Sequence, residues 1–224
     1  MTGPGASSPL SDRRTWLGLA LALGLGLGAS ALLRAQPPPG RRLELTPVVR
    51  AVLTDPGSPS VGPAGADVTV MVFTDYQCPI CRAHEPALQA ALARDHGLRV
   101  VYKDWPIFGE ASQQAARLAL AADRQGKYRA LHDALMHTSR RLDPEGLRAT
   151  AAEAGIDWTR LQADLAAHTA EFDAQLARHA GEAWSLGIEG TPAYLVGLRL
   201  YKGGLGDIAL RHAIATARQE NLRR

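Results

Sequence analysis

Two stretches of this chain alternate short apolar runs with helical patterns, and a long helical block separates them. Residues 68–73, VTVMVF, form a β-branched apolar run typical of a buried strand. The following segment, up to about Asp95, predicts a helix because apolar or small residues recur at helical spacing, at Ala87, Leu88, Ala91 and Leu92. Residues 98–105, LRVVYKDW, predict a second buried strand. Strand, helix and strand in this order are typical of a parallel βαβ unit.

The block from Glu110 to about Leu186 is rich in Ala, Leu, Arg, Asp and Glu and contains no strand pattern. Turn and capping signals divide it into several helices, at Gly126, Asp143-Pro144 and Gly155-Ile156-Asp157. Strand patterns return at residues 192–197, PAYLVG, and 198–203, LRLYKG, and a last helix follows. We therefore expect an α/β protein in which helices interrupt the sheet-forming segments.

The N-terminal 35 residues have the pattern of an export segment. Arg13 and Arg14 precede an uncharged stretch of mainly Leu, Gly and Ala that runs from Thr15 to Leu33. This stretch is about long enough to span a bilayer once, and the sequence DRRTWL loosely resembles a twin-arginine signal. Residues 1–35 are thus expected to be a signal peptide or a single membrane anchor, and both place the remainder in the periplasm or cell envelope. Residues 36–60 are expected to be a linker with a short helix at 46–53.

Composition narrows the possible partners. The chain has 224 residues, of which 46% are hydrophobic, and this is enough for one substantial globular core. The net charge is only +3 and the basic residues are scattered along the chain. No nucleic-acid partner is therefore expected.

The only two cysteines, Cys78 and Cys81, lie in the segment FTDYQCPIC, directly after the first predicted strand. A disulfide across so small a loop would stabilise the fold little. Haem attachment requires a histidine where Arg82 stands. Structural zinc requires four ligands, and only His84 could join the two thiolates, so no metal site is expected. A CxxC pair that follows a strand and opens a helix in an exported chain indicates a redox centre.

The place of the pair on the predicted helix suggests different tasks for the two sulfurs. Residues three apart share one helix face, so the sulfurs can meet. Cys78 is expected at the helix N-terminus, with Pro79 in the first turn, where unpaired N–H groups and the helix dipole favour a thiolate. Cys81, one turn inside, is expected to be more buried and to react second.

Three segments together resemble the DsbA-like thioredoxin-fold thiol-disulfide oxidoreductases of the bacterial envelope: VFTDYQCPICRAHEPAL, VVYKDWPIFGEASQQAARLALAADRQGKYRALHDALM and GIEGTPAYLVG. The resemblance extends from about Val61 to the C-terminus. It implies an α/β, thioredoxin-like fold with an inserted helical domain. The expected division is a first half at residues 61–108, the helical insertion at 109–186 and a second half at 187–224, with no cofactor.

The resemblance also implies roles for individual residues. The nucleophilic cysteine of the family falls on Cys78 and its resolving cysteine on Cys81. A buried acid that can relay protons falls on Glu85, for which an exposed helix carboxylate is the alternative. The cis-proline of the family falls on Pro192, and the backbone of Thr191 would then offer strand-like hydrogen bonds to a substrate peptide.

Further residues qualify these expectations. Lys103, in the second predicted strand, is expected to pair with Glu85. The dipeptide between the cysteines is Pro79-Ile80, without the histidine of the strongest oxidants in the family, so a less oxidising centre is expected. His132 and His179 lie in helical stretches, where packing or surface roles are expected.

The resemblance implies an exported enzyme that exchanges its disulfide with the thiols of envelope proteins, most simply as an oxidase. A reductase or isomerase is the second possibility, and a thioredoxin-fold chaperone or binding module is the non-enzymatic one. The expected partners are protein thiol or disulfide substrates and a membrane redox partner.

Overall fold

The computed structural model describes residues 40–55 and 57–222. In these ranges one sheet contains six strands: β1 (Arg41–Arg42), β2 (Ser60–Val61), β3 (Val68–Thr74), β4 (Leu98–Asp104), β5 (Ala193–Val196) and β6 (Arg199–Lys202). The helices of the same ranges are α1 (Pro47–Leu53), α2 (Pro79–Arg94), α3 (Glu110–Asp123), α4 (Tyr128–His137), α5 (Pro144–Glu153), α6 (Trp158–Ser185) and α7 (Asp207–Leu222).

The sheet has the order β1-β6-β5-β3-β4-β2. Strands β3 and β4 are parallel and α2 connects them, which confirms the predicted βαβ unit. Strands β5 and β6 form an antiparallel pair, and β5 lies antiparallel to β3 on its other side. Val70 in β3 therefore has Val100 on one side and Val196 on the other. This central position explains the unbroken apolar sequence of β3.

Side chains that are neighbours in β3 point to opposite faces of the sheet. Val68, Val70 and Val72 pack into a first core, which also contains residues of α2, α7 and the helical block. Met71 and Phe73 pack into a second core on the other face, together with residues of α1 and the end of α6. Because both faces are covered, a charged side chain on either face needs a partner inside the protein.

The helical block lies between β4 and β5, as predicted, and comprises α3 to α6. Its predicted boundaries coincide with caps. Asp143 Oδ1 accepts a hydrogen bond from the Gly146 N–H at 2.9 Å, and Asp157 Oδ1 accepts one from the Arg160 N–H at 3.0 Å. The architecture is thus the predicted thioredoxin-like α/β fold with inserted helices.

The segment expected to be a linker is in part built into the sheet. Strand β1 pairs antiparallel with β6, and α1 buries Val49 and Val52 in the second core. Pro47 occupies the first turn of α1, and the Thr46 hydroxyl accepts a hydrogen bond from the Val49 N–H at 3.2 Å. A strand of two residues is too short to leave an alternating pattern, so the sequence did not indicate β1.

The predicted signal peptide or anchor, residues 1–35, lies outside the described residues. Within the described ranges, no helix combines the length and the apolar character that a membrane span requires.

Candidate active site

Cys78 is the N-cap residue of α2, directly after the turn that follows β3. Its N–H donates a hydrogen bond to the Asp75 carbonyl at 3.1 Å, which fixes the turn. Its Sγ accepts a hydrogen bond from the Cys81 N–H at 3.4 Å. The Cys78 sulfur therefore lies at the positive end of the helix dipole, as the sequence predicts.

The loop before β5 lies beside Cys78, because β5 is the neighbour of β3 in the sheet. The peptide bond between Thr191 and Pro192 is cis. The Cys78 thiol donates a hydrogen bond to the Thr191 carbonyl at 3.3 Å, and the Gly203 N–H donates one to the Pro192 carbonyl at 2.9 Å. Two predicted site residues 113 positions apart thus meet in one contact.

The expected difference in burial between the two cysteines is wrong. The exposed fraction is 2% for Cys78 and 3% for Cys81, so accessibility of the whole residue does not separate them. Their sulfurs are not bonded to each other in this structure. Burial raises the pKa of Cys81 to about 12, against opposing hydrogen bonds from the Asp75 backbone and the Thr74 side chain. At neutral pH Cys81 is consequently a thiol that needs a proton acceptor before it can react.

Glu85 lies one helical turn after Cys81 on the buried face of α2, with an exposed fraction of 3%. His132 of α4 is its partner, because Nε2 of His132 lies 3.4 Å from Oε1 of Glu85. The buried position expected for Glu85 is therefore present. For His132 the sequence predicted a packing or surface role, and this side chain lies in the interior beside an acid.

The prediction that Lys103 pairs with Glu85 is wrong. Lys103 Nζ lies 2.6 Å from Asp55 Oδ2 and 2.8 Å from Glu182 Oε2. The cause is the alternation of β4: Lys103 shares a face with Val101 and Trp105, which belong to the second core, whereas α2 packs on the first.

His132 connects Glu85 to a buried polar network. Nδ1 of His132 lies 3.0 Å from the Tyr76 hydroxyl, and the Tyr128 hydroxyl donates a hydrogen bond to Asp104 Oδ2 at 3.0 Å. The two tyrosine hydroxyls are 3.5 Å apart. Burial raises the pKa of Asp104 to about 6. Burial alone would lower the pKa of His132, but the Glu85 carboxylate beside it raises that pKa above its ordinary value.

The second predicted histidine, His179, is also buried and lies among the groups around Lys103. Its Nε2 is 2.9 Å from the Ser58 hydroxyl and its Nδ1 is 3.0 Å from the Asp104 carbonyl. Burial and the nearby Lys103 ammonium lower the pKa of His179 to about 3, so this ring is neutral at physiological pH. These contacts give His179 a structural role.

Asp75, which the sequence did not single out, organises the loops around Cys78. Its Oδ1 accepts hydrogen bonds from the Gln77 N–H and the Ser112 hydroxyl, both at 2.7 Å. Its Oδ2 accepts bonds from the N–H groups of Ile107 at 2.7 Å and Phe108 at 3.1 Å. The sequence signal that could have identified Asp75 is an acidic residue directly after a predicted buried strand. A carboxylate at the end of a strand can accept hydrogen bonds from the free backbone N–H groups of the nearby loops.

Apolar side chains are exposed in two segments close to the cysteine pair in the fold. Ile80 is exposed between the cysteines, and Ile107 and Phe108 are exposed in the loop that Asp75 holds. The Gln77 side chain donates a hydrogen bond to the Phe108 carbonyl at 3.0 Å, which ties this loop to the residue before Cys78. Exposed apolar side chains that form a patch are typical of a binding surface.

Glu85, His132 and Asp133 each bring one ligand atom within 4.8 Å of the others, a donor set that could hold a divalent cation such as zinc. Asp133 already accepts a hydrogen bond from the Gln89 side chain at 3.0 Å and lies 3.5 Å from Arg129. Charge pairing between Glu85 and His132 accounts for the remaining contact. We therefore assign no metal-binding role to these residues.

Two solved structures with this architecture are a thioredoxin-like oxidoreductase and a periplasmic thioredoxin-like protein. The thioredoxin-like oxidoreductase, from Silicibacter pomeroyi, is 40% identical, with a TM-score of 0.71, over 75% of this chain and 96% of its own. The periplasmic thioredoxin-like protein, from Salmonella enterica serovar Typhimurium, is 25% identical, with a TM-score of 0.67, over 79% of this chain and 99% of its own.

Comparison of sequences gives longer relatives and a family. The chain is 30% identical over 194 residues to the Na(+)/H(+) antiporter NhaA 1 of Salinispora arenicola, and the match covers 83% of this chain but 29% of that protein. The chain thus spans less than a third of the length of this curated relative. The family model of the DSBA-like thioredoxin domain matches residues 69–214, which include both cysteines and Pro192. The chain belongs to the family of DSBA-like thioredoxin domains.

Proposed function

We propose that this protein is an exported thiol-disulfide oxidoreductase that exchanges a Cys78–Cys81 disulfide with the thiols of envelope proteins, acting as an oxidase. The observation that supports this most is the place of Cys78, whose sulfur caps α2 and contacts the Thr191 carbonyl. A sulfur at a helix N-terminus is stabilised as a thiolate, and a good leaving or attacking thiolate is what disulfide exchange requires.

In the proposed oxidation, a substrate thiolate attacks Cys78 Sγ and the bond between the two protein sulfurs breaks. Cys81 leaves with the electron pair and takes up a proton, because its raised pKa favours the thiol. A second substrate thiolate then attacks the mixed disulfide, releases Cys78 as a thiolate and forms the substrate disulfide. The protein ends as the dithiol, and a membrane redox partner would reoxidise it.

Substrate protein would bind along the loop that contains Thr191 and Pro192, with its apolar side chains against Ile80 and Phe108. The exposed position of these two side chains favours partly unfolded protein, because folded proteins bury their apolar segments. The proposed location in the periplasm or envelope depends on residues 1–35 and agrees with the periplasmic Salmonella relative. We do not propose ion transport, because the match to the antiporter covers most of this chain and less than a third of that protein.

Trapping of mixed disulfides tests the proposal. Cys81→Ala should accumulate adducts with envelope proteins through Cys78, because the sulfur that reverses the step is missing. Cys78→Ala should accumulate few, because Cys81 is held as a thiol. A non-reducing gel of both variants from cells, with the wild type as reference, gives the result. Equal adduct levels in the two variants would contradict this division of roles.

The direction of electron flow is measured by trapping the free thiols of the wild-type protein in cells. A mostly oxidised pair supports the oxidase, and a mostly reduced pair supports a reductase or isomerase. If Cys78→Ala keeps the full activity of the wild type in cells, the protein acts as a binding module and not as an enzyme.

A further inference from the structure

The counter-ion of Glu85 is a histidine, and this changes what the buried acid can do. Lys103 has both of its carboxylate partners on the other face of the sheet. Glu85 Oε1 and His132 Nε2 are buried, and within the described ranges neither atom has a hydrogen-bond partner with good angular geometry. Because the two atoms lie 3.4 Å apart, each side chain compensates the charge of the other.

The His132 ring is fixed with Nε2 towards Glu85. Its Nδ1 lies 3.0 Å from the Tyr76 hydroxyl, and its ring packs against Tyr102 at a centroid distance of 4.4 Å and stacks on Tyr128 at 5.5 Å. The exposed fraction of His132 is 0%. A ring held at Nδ1 by Tyr76 and packed against two neighbouring tyrosine rings cannot turn Nε2 away without disturbing the first core.

We propose that His132 is a positioning residue of the redox centre: as the 3.4 Å partner of Glu85, it holds this side chain where it takes a proton from Cys81 and returns it. The inference rests on the proposed function. A lone carboxylate in this interior would take up a proton from solvent and could not accept one from a thiol. The His132 imidazole supplies a charged partner 3.4 Å from Glu85 Oε1, and Glu85 lies one helical turn after Cys81 on α2.

The proposed step requires no reactant other than the protein and its substrate. In the mixed disulfide between Cys78 and a substrate, Glu85 takes the Cys81 proton and the Cys81 thiolate attacks Cys78 Sγ. The bond between Cys78 and the substrate breaks, the substrate leaves as a thiolate, and the disulfide of the protein forms. In the opposite direction, Cys81 leaves as a thiolate and protonated Glu85 returns the proton.

Other titratable groups face the imidazole from several elements. Besides Glu85 on α2, they are Tyr76 after β3, Tyr102 and Asp104 on β4, and Tyr128 and Asp133 on α4. The acidic groups among them also favour the imidazolium. The tyrosines are neutral, because burial raises their pKa values.

The experiment separates the two sulfurs in time. The reduced full chain is mixed with an aromatic disulfide whose released thiolate is coloured. The first release reports attack by Cys78, and the second reports the later attack by Cys81 on the mixed disulfide.

His132→Gln should slow the second phase about tenfold or more and leave the first within about twofold. Between about pH 6 and pH 8 its second phase should rise about tenfold per pH unit, because the proton must then go to solvent, whereas the wild type should vary less.

A double-mutant cycle distinguishes a role through Glu85 from a packing defect. If His132 acts through Glu85, adding His132→Gln to Glu85→Gln should slow the second phase no further. His179→Gln is the matched control, since it removes a buried imidazole from the cluster of Lys103 and should leave both phases unchanged. Additive losses, or a wild-type second phase in His132→Gln, would overturn the inference.

NMR provides a further test that does not depend on the folding of His132→Gln. If His132→Gln does not fold, the His132 titration is followed by NMR in the wild type and in Glu85→Gln, where its pKa should fall; an unchanged titration overturns the inference. If the wild type shows no second phase at all, the proposed exchange function fails first, and the inference with it.

Discussion

At the scale of single residues, burial and charged partners decide the pH range in which each acid ionises. Asp104 is fully buried at the end of β4, and burial raises its pKa from 3.8 to about 6. Burial alone would also raise the pKa of Asp55, on the other face, but the Lys103 ammonium 2.6 Å away holds that pKa below the ordinary range. As pH rises and the two aspartates ionise, Asp55 therefore increases the stability of the fold and Asp104 decreases it.

The raised pKa of Asp104 predicts that the free energy of unfolding depends on pH. Since the folded-state pKa lies above the unfolded value, this group favours folding at low pH, and that contribution is lost as pH rises from about 4 to 6. Asp104→Asn removes the effect. The free energy of unfolding of the variant, relative to the wild type, should therefore increase by up to about 3 kcal/mol between pH 4 and pH 7. Urea denaturation at several pH values measures it, and a pH-independent difference would contradict the assignment.

At the scale of elements, the alternation of one strand separates two polar clusters. Tyr102 and Asp104 of β4 point to the first core, where they meet the network of His132 and Glu85. Lys103 between them points to the second face, where it meets Asp55 and Glu182. Strand β4 therefore supports the redox centre on one face and holds α6 and the segment after α1 on the other.

Lys103→Met should destabilise the protein without altering the chemistry of the cysteines. The change leaves Asp55 and Glu182 without the buried ammonium between them, at a cost of about 3–5 kcal/mol. Both phases of colour release should stay at wild-type rates under conditions where the variant is folded. Lys202→Met is the control, because Lys202 Nζ lies 3.6 Å from the exposed Glu189 and its loss should cost less than about 1 kcal/mol. Slowed release by Cys81 in Lys103→Met would contradict the separation of the two faces.

At the scale of the whole molecule, the segment before the βαβ unit closes one face of the sheet. The described residues, 40–55 and 57–222, belong to one compact unit. Strand β1 extends the sheet beside β6, α1 buries Val49 and Val52, and Asp55 reaches Lys103. Without this segment, Met71 and Phe73 in the second core would lose part of their cover.

Truncation tests this closure. A chain that begins at Gly40 should keep the melting temperature of the full chain. A chain that begins at Ser58 loses two buried valines and the Asp55 carboxylate, and its melting temperature should fall by more than about 10 °C. Thermal unfolding followed by circular dichroism gives both values. An unchanged melting temperature in the shorter chain would show that residues 40–57 contribute only a linker.

The sequence by itself determined the features that depend on local pattern. Apolar runs and helical spacing predicted β3, α2 and β4, and caps at Asp143 and Asp157 predicted where helices begin. The cysteine pair was placed correctly at the start of a helix, because the strand, the turn and the helix are adjacent in the chain.

Only the tertiary structure decided which distant groups meet. The sequence predicted Lys103 as the partner of Glu85 and a packing or surface role for His132, but the direction in which each side chain leaves its element selected His132 as the partner. The hydrogen bonds of Asp75 to the loop at Ile107 and the packing of α1 under the sheet are likewise contacts between separate segments. Periodicity shows that a position is buried, but the partner of a buried charge depends on which elements cover that face.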